Sequence, residues 1–233
     1  MKAILPFFAF TLALSQAARA DFTIVQKVEQ KGTANEVVLK LKGDKIRMEA
    51  TADVTMIVDG KTGDTLTLMK AQKKYLRISG EKAKAISELA MKYGGKNAEK
   101  PKLVATGKKM TVNGYEADEY VGETALFKAK YWIAPSFPDS TAIMKQLQAV
   151  IPAAWNDLAG GTMDYRDLPG FPLRTEVRMG EEEIISTVTA VKHDVLSEAE
   201  FEPPKDFQEM KMPNMQTVPT DKSSPASTPS ARP

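Results

Sequence analysis

Residues 43–78 read GDKIRMEATADVTMIVDGKTGDTLTLMKAQKKYLRI, and this stretch decides the fold. In its first segment Ile46, Met48 and Ala50 alternate with Lys45, Arg47 and Glu49. A period of two puts successive side chains on opposite faces of a strand, so one face is apolar and the other charged. Val54 to Val58 follows, then Thr65 to Met69 behind the turn DGKTGD, then Lys74 to Ile78 behind AQK. Short segments rich in Val, Ile, Thr and Tyr, broken by Gly and Asp about every ten residues, are the pattern of antiparallel strands joined by turns.

The same pattern continues on both sides. Upstream, Phe22 to Gln30 and Glu36 to Lys42 precede the strand Lys45 to Thr51. Downstream come Val104 to Thr106 and MTVNGYEADEY, in which Asn113-Gly114 is the strongest hairpin signal because both residues tolerate the positive φ of a type I′ turn. Lys128 to Ile133, Leu173 to Met179 and Ile184 to Lys192 complete roughly ten strands, enough for a large sheet or barrel. Two segments have helical spacing instead. Glu81 to Tyr93 places Ile86, Leu89, Ala90 and Tyr93 on one stripe behind a Ser79 cap. Ser140 to Leu158 carries Ile143, Leu147, Val150, Ile151, Ala154 and Leu158, with Asp139 or Ser140 as N-cap. Pro152 must kink or split that second helix. The fold class expected is α+β, a large antiparallel sheet with helices over one face.

The two ends set the compartment. MKAILPFFAFTLALSQAARA, residues 1–20, has the charge at Lys2, the apolar run and the small residues Ala18 and Ala20 of a cleaved secretory signal peptide. Its apolar run is about 12 residues, against about 20 for a spanning helix. No Cys follows it to carry a lipid, and the whole chain has 0 Cys, so disulfides, thiol nucleophiles and thiolate metal sites are excluded. Residues 212–233 are rich in Pro, Ser and Thr and read as a disordered tail. Residues 21–211 remain for one domain. Of 32 basic residues Lys2 and Arg19 leave with the signal, so 30 balance 30 acids and nothing draws the mature chain to nucleic acid or anionic membrane. A periplasmic protein is expected, a secreted one being the alternative, with no stable membrane insertion.

No catalytic motif emerges. His193, the sole histidine, ends a predicted strand beside Asp194, but neighbours on a strand point to opposite faces, so Asp194 is badly placed to orient it. A lone His without Cys is also a poor zinc site. DGKTGD departs from a calcium loop at Lys61 and reads as a hairpin turn. Glu181 to Glu183 reads as an exposed turn, and Gly94-Gly95 and Gly160-Gly161 lack the lysine and setting of a phosphate loop. No enzyme and no cofactor are expected. Met48, Met56, Met69, Met144 and Met179 suit either an irregular core or a cavity accepting varied apolar ligands.

The order of segments carries a resemblance: DFTIVQKVEQ, then GDKIRMEA, VTMIVDGKTGDTLTLMKAQKKYLRI, TVNGYEADEYV, KYWIAPS, LPGFPLRTEVRM and FEPPKDFQEM. This succession resembles an exported bacterial family, domain of unknown function 4412, which is similar to the half-barrel envelope proteins of the LolA and LppX kind. The resemblance implies a curved antiparallel sheet, a half-barrel, with two helical segments across its concave face and an apolar space between. In carrier-like relatives that space receives acyl chains; no functional residue carries over. The helical insertion from Asp139 to Leu158 and the tail depart from the carrier, so lipoprotein sorting is not expected. The expected function is a non-catalytic binding module for a lipid or other apolar envelope ligand. Its cavity would be lined by Ile46, Met48, Met56, Val58, Leu66 and Leu68 of the sheet with Ile143, Leu147 and Trp155 of the second helix. The alternative is an envelope interaction protein with a solid core, its function on its surface or tail and an envelope protein as partner.

Overall fold

The computed structural model describes residues 21–93, 101–124, 128–150 and 165–211. The segments expected as signal peptide and tail, the kink expected at Pro152, and Trp155 lie outside them. Twelve strands form one sheet. The first six are β1 (Phe22–Gln30), β2 (Thr33–Lys42), β3 (Lys45–Glu49), β4 (Val54–Asp59), β5 (Thr65–Met69) and β6 (Lys74–Ile78). Then come β7 (Val104–Val112), β8 (Tyr115–Glu123), β9 (Lys128–Ile133), β10 (Pro172–Met179), β11 (Glu182–His193) and β12 (Gln208–Met210). Helix α1 spans Gly80–Tyr93 and α2 spans Ser140–Val150. The spatial order is β12-β6-β5-β4-β3-β2-β1-β11-β10-β9-β8-β7, so among the described residues β7 and β12 are the edges and the sheet is an open half-barrel. Every pairing is antiparallel except β12 on β6.

The turns explain the meander. Asn113 and Gly114 adopt φ of 49° and 82° and close β7 onto β8, as the hairpin signal predicts. In DGKTGD the Asp59 carboxylate accepts from the amides of Lys61 and Thr62 at 2.9 and 3.1 Å, which makes it a hairpin turn. Ser79 caps α1, its hydroxyl accepting from the Lys82 amide at 3.3 Å. The exposed edge strand β7 is interrupted by a bulge, where residues 106–108 face Glu119, and it carries Lys108 and Lys109. Bulges and lysines are what discourage edge-to-edge pairing.

The main core lies on the concave face, where α2 inserts Ile143, Leu147 and Val150 among Phe22, Ile24, Leu41, Ile46 and Val58. A second, smaller cluster lies on the convex face. There residues 194–210 form a strap whose Leu196, Phe201 and Phe207 pack on Ile57, Leu66, Leu68 and Tyr75. The strap contains a 3-10 turn, Glu198–Phe201, held by a capping box between Ser197 and Glu200. Lys40 pairs with Glu200 at 2.5 Å and Lys45 with Glu198 at 2.9 Å, while the Arg47 guanidinium donates to the Glu200 carbonyl at 2.7 Å. β12 then adds in parallel to β6, with the Gln208 amide donating to the Lys73 carbonyl at 2.9 Å. Three residues, two of them polar, gave no strand pattern, so β12 is an element the sequence reading lacks.

The strap has a pH dependence. The Lys40 ammonium holds the Glu200 carboxyl below its ordinary value of 4.5, burial opposing it and the Ser197 amide assisting. A depressed folded-state pKa adds stability that is complete above the ordinary value and lost as pH falls through the lower one. Acidification from about pH 7 to about pH 3 is therefore expected to lower the protection of amides 197–208, taken relative to the intrinsic exchange rate at each pH, before that of strands β1 and β2. Equal protection of the strap at both values would contradict this.

Candidate functional site

Register assigns the concave face residue by residue. Ile24 lies opposite Val191 and Leu39, Gln26 opposite Val188 and Val37, and Val28 opposite Ser186 and Asn35. Ser186 and Ile184 lie opposite Thr175 and Val177, which in turn face Tyr131 and Ala129. These positions share the face that carries the buried Phe22, Ile24 and Leu41. Helix α2 sits toward one half of it, over β2 and β3.

The cavity residues read from the sequence divide between two faces. Ile46 and Val58 stand opposite each other in the core with Ile143 and Leu147. Met48 and Met56 form the next pair along the same face and are half-buried. Leu66 and Leu68 are a correction, because they lie on the convex face with Ile57, under the strap. The β4–β5 register pairs Val58 with Thr65 and Ile57 with Leu66, so Thr65 takes the place beside Val58. VTMIV is apolar at adjacent positions and buried on both faces, so alternation could not fix which of its residues turns inward. Trp155 lies outside the described residues.

On the other half of the concave face, β1, β11, β10 and β9 present half-buried Val28, Ile184 and Val177. Interleaved with them are uncharged polar side chains. Ser186 donates to the Gln26 amide oxygen at 3.0 Å, and Thr175 lies across from Tyr131. Burial pushes the Tyr131 phenol far up, with Tyr165 adding to the shift, and burial also raises Tyr165. Tyr165 begins a 3-10 turn, Tyr165–Asp167, that contacts α2. Both phenols, neutral at about pH 7 even when exposed, are moved further from ionisation and can donate.

The opposite side of these strands is charged. Lys27 and Glu29 alternate with Gln26 and Val28, Arg174 and Glu176 with Thr175 and Val177, and Lys128 and Lys130 with Ala129 and Tyr131. Burial opposes ionisation of Glu176, but Arg174 at 2.9 Å and Lys130 at 3.1 Å outweigh it and hold the carboxyl below its usual range. Charge reaches the concave face of this half at its rims. At one rim Lys31 pairs with Glu182. At the other His193, opposite Phe22, packs tilted by 58° against that ring at 5.0 Å and meets Asp139 at 3.1 Å. The partner of His193 is thus the residue preceding α2, which sequence adjacency to Asp194 does not indicate.

A second concavity, of about 640 Å³, lies open along β7–β9 and is lined by Lys102, Lys108, Lys128, Lys130, Glu119 and Glu123 among others. Glu119 is only 5% exposed and accepts from the Thr106 hydroxyl at 2.8 Å. Glu123 and Glu176 neutralise Lys128 and Lys130.

The residues missed by sequence reasoning are the polar members of the concave face, Gln26, Thr175, Ser186 and Tyr131. A search for apolar stripes passes over them. The signal that could have found Thr175 is its place between Leu173 and Val177 in the alternation of residues 173–179.

The sequence matches the family model described as Domain of unknown function (DUF4412) over residues 22–207. No curated protein matches it. Among solved structures, PNGF-II is similar at 14% identity with a TM-score of 0.43, covering 82% of this chain and 31% of that one. MucB in complex with MucA(peri) is similar at 11% identity and a TM-score of 0.38, covering 84% and 58%. A DUF1329 family protein from Desulfovibrio piger ATCC 29098 is similar at 12% identity and a TM-score of 0.32, covering 80% and 91%. The chain thus spans under a third of PNGF-II and just over half of MucB.

Proposed function

For this chain, which belongs to the DUF4412 family, we propose a non-catalytic role: an exported envelope protein that binds an apolar ligand on the concave face of its half-barrel. The observation that carries the reading is the uneven cover of that face. Helix α2 seals the β2–β3 half, whereas the apolar Val28, Val177 and Ile184 of the other half stay half-buried. A sheet that only needed a core would bury such side chains, since apolar surface left in contact with water forfeits about 25 cal/mol per Å². A curved sheet with partly open apolar positions is the common shape of a ligand site. No helix among the described residues is long and apolar enough to cross a membrane. An apolar cargo in a water-filled compartment then has to be shielded by the sheet.

Native mass spectrometry of the full-length gene product, purified from its own cell envelope without detergent, is expected to show adducts of lipid mass that disappear after organic extraction. Val177→Glu, which puts a charge among these residues, should abolish the adducts. Protein that carries no adduct, and that fails to bind an uncharged fluorescent acyl-site probe such as N-phenylnaphthylamine, would instead favour the interaction-protein reading.

A further inference from the structure

The half-open face is apolar, but it is not only apolar, and what it lacks is as informative as what it holds. Among the described residues, the concave positions of β1, β9, β10 and β11 between the rim pairs Lys31–Glu182 and Asp139–His193 carry no ionised side chain. On the same four strands the opposite face is rich in Lys, Arg and Glu. Strand chemistry alone therefore does not account for the missing charge. The concave face does keep hydrogen-bonding groups: Gln26 and Ser186 bonded to each other, and the hydroxyls of Thr175 and Tyr131, which lie opposite each other in register.

We infer that the ligand is an uncharged amphiphile, an acyl chain bearing an ester or hydroxyl group, whose chain lies along Val28, Val177 and Ile184 and whose polar group meets Tyr131 and Thr175. The inference rests on the proposed binding role and narrows it. A carboxylate or phosphate carried onto this face would be desolvated with no cation to meet it, which is far costlier than burying a hydrogen-bonded neutral group. A plain hydrocarbon would cover the Tyr131 and Thr175 hydroxyls without satisfying them, a loss that an ester carbonyl or an alcohol avoids. The Tyr131 phenol, neutral at about pH 7 and further from ionisation because of burial, can donate, and Thr175 can donate or accept.

The test uses the full-length mature protein and displacement of N-phenylnaphthylamine by mono-oleoylglycerol, oleate, hexadecane and dioleoyl phosphatidylglycerol, at a pH of about 8 where oleate is ionised. Mono-oleoylglycerol is expected to displace the probe at about tenfold lower concentration than oleate, phosphatidylglycerol or hexadecane. Tyr131→Phe should shrink its advantage over hexadecane severalfold. Thr175→Lys, which adds the missing cation at a half-buried position, should turn the preference toward oleate. Oleate or phosphatidylglycerol matching mono-oleoylglycerol on the natural protein would overturn the inference while leaving apolar binding intact. Hexadecane matching it would do the same. A probe that does not bind at all would overturn the binding role and this inference together.

Discussion

Gly60→Val is expected to cost this protein about 3 kcal/mol or more of folding stability, a large fraction of what a single domain has. Gly60 opens the β4–β5 turn, and its amide donates to the Asp44 carbonyl at 2.7 Å. A Cβ built there would lie 2.5 Å from both the Ala149 carbonyl oxygen and the Val150 Cα. Both are backbone atoms of the last turn of α2, so no side-chain rotation relieves the clash. Any side chain at residue 60 must drive the hairpin away from the helix that seals the core beside Ile46 and Val58. Gly43→Ala separates this effect from a general intolerance of glycine replacement. Gly43 has φ of +56° with nothing within 4 Å of a Cβ, so it should cost only the about 1–2 kcal/mol of a left-handed residue. Urea unfolding of the two variants, followed by circular dichroism, checks the ranking. A Gly60→Val protein as stable as Gly43→Ala would mean that the turn and α2 do not touch.

That contact shows how much of the fold was legible and where legibility stopped. β1, β5, β6 and β9 have the bounds that composition and turn spacing indicate, because each is a short run containing β-branched or aromatic residues between turn signals. The Asn113-Gly114 hairpin and the Ser79 cap could be read because each depends on residues adjacent in sequence. Which face a residue occupies is harder when both faces are buried. Leu66 and Leu68 look like cavity residues for that reason, and only the pairing of Thr65 with Val58 shows that they point the other way. The strap is harder still. Its anchors Leu196, Phe201 and Phe207 lie in a stretch without helix or strand period, and their partners Ile57 and Leu66 are more than a hundred residues earlier. Long-range packing of irregular chain leaves no local periodicity to read.

The candidate site shows the same limit in a different form. Val28 and Val177 sit where alternating strands would place them, yet the absence of charge on their face emerges only when four strands are laid side by side in register. Taken alone, β9 and β10 alternate uncharged with charged residues and look like ordinary half-exposed strands. The information is in the sheet, in the coincidence of uncharged positions across neighbours.

Phe201→Ala is expected to release the strap while the half-barrel stays folded. Phe201 is 4% exposed and is the largest buried anchor of the convex cluster, so truncation removes about 3–5 kcal/mol of local packing. The convex cluster is separate from the concave core, and the strap otherwise holds by partly exposed ion pairs and a three-residue parallel strand. Exposed ion pairs contribute about 1 kcal/mol or less each, too little to replace the aromatic anchor. Loss of Phe201 should therefore appear as local opening rather than global unfolding: hydrogen exchange at 196–210 should approach that of an unfolded chain, and a protease should cut near Pro203-Pro204. The strands β1, β2 and β11 should keep their protection, since their backbone ladders run to one another and β2 meets the strap only through side-chain ion pairs such as Lys40–Glu200. Binding of the uncharged probe on the concave face should survive as well, because the sheet separates the two clusters. Cooperative unfolding of the whole chain at the same urea concentration as the strap would show the convex cluster to be part of the main core, and the two-sided reading of the sheet would fall with it.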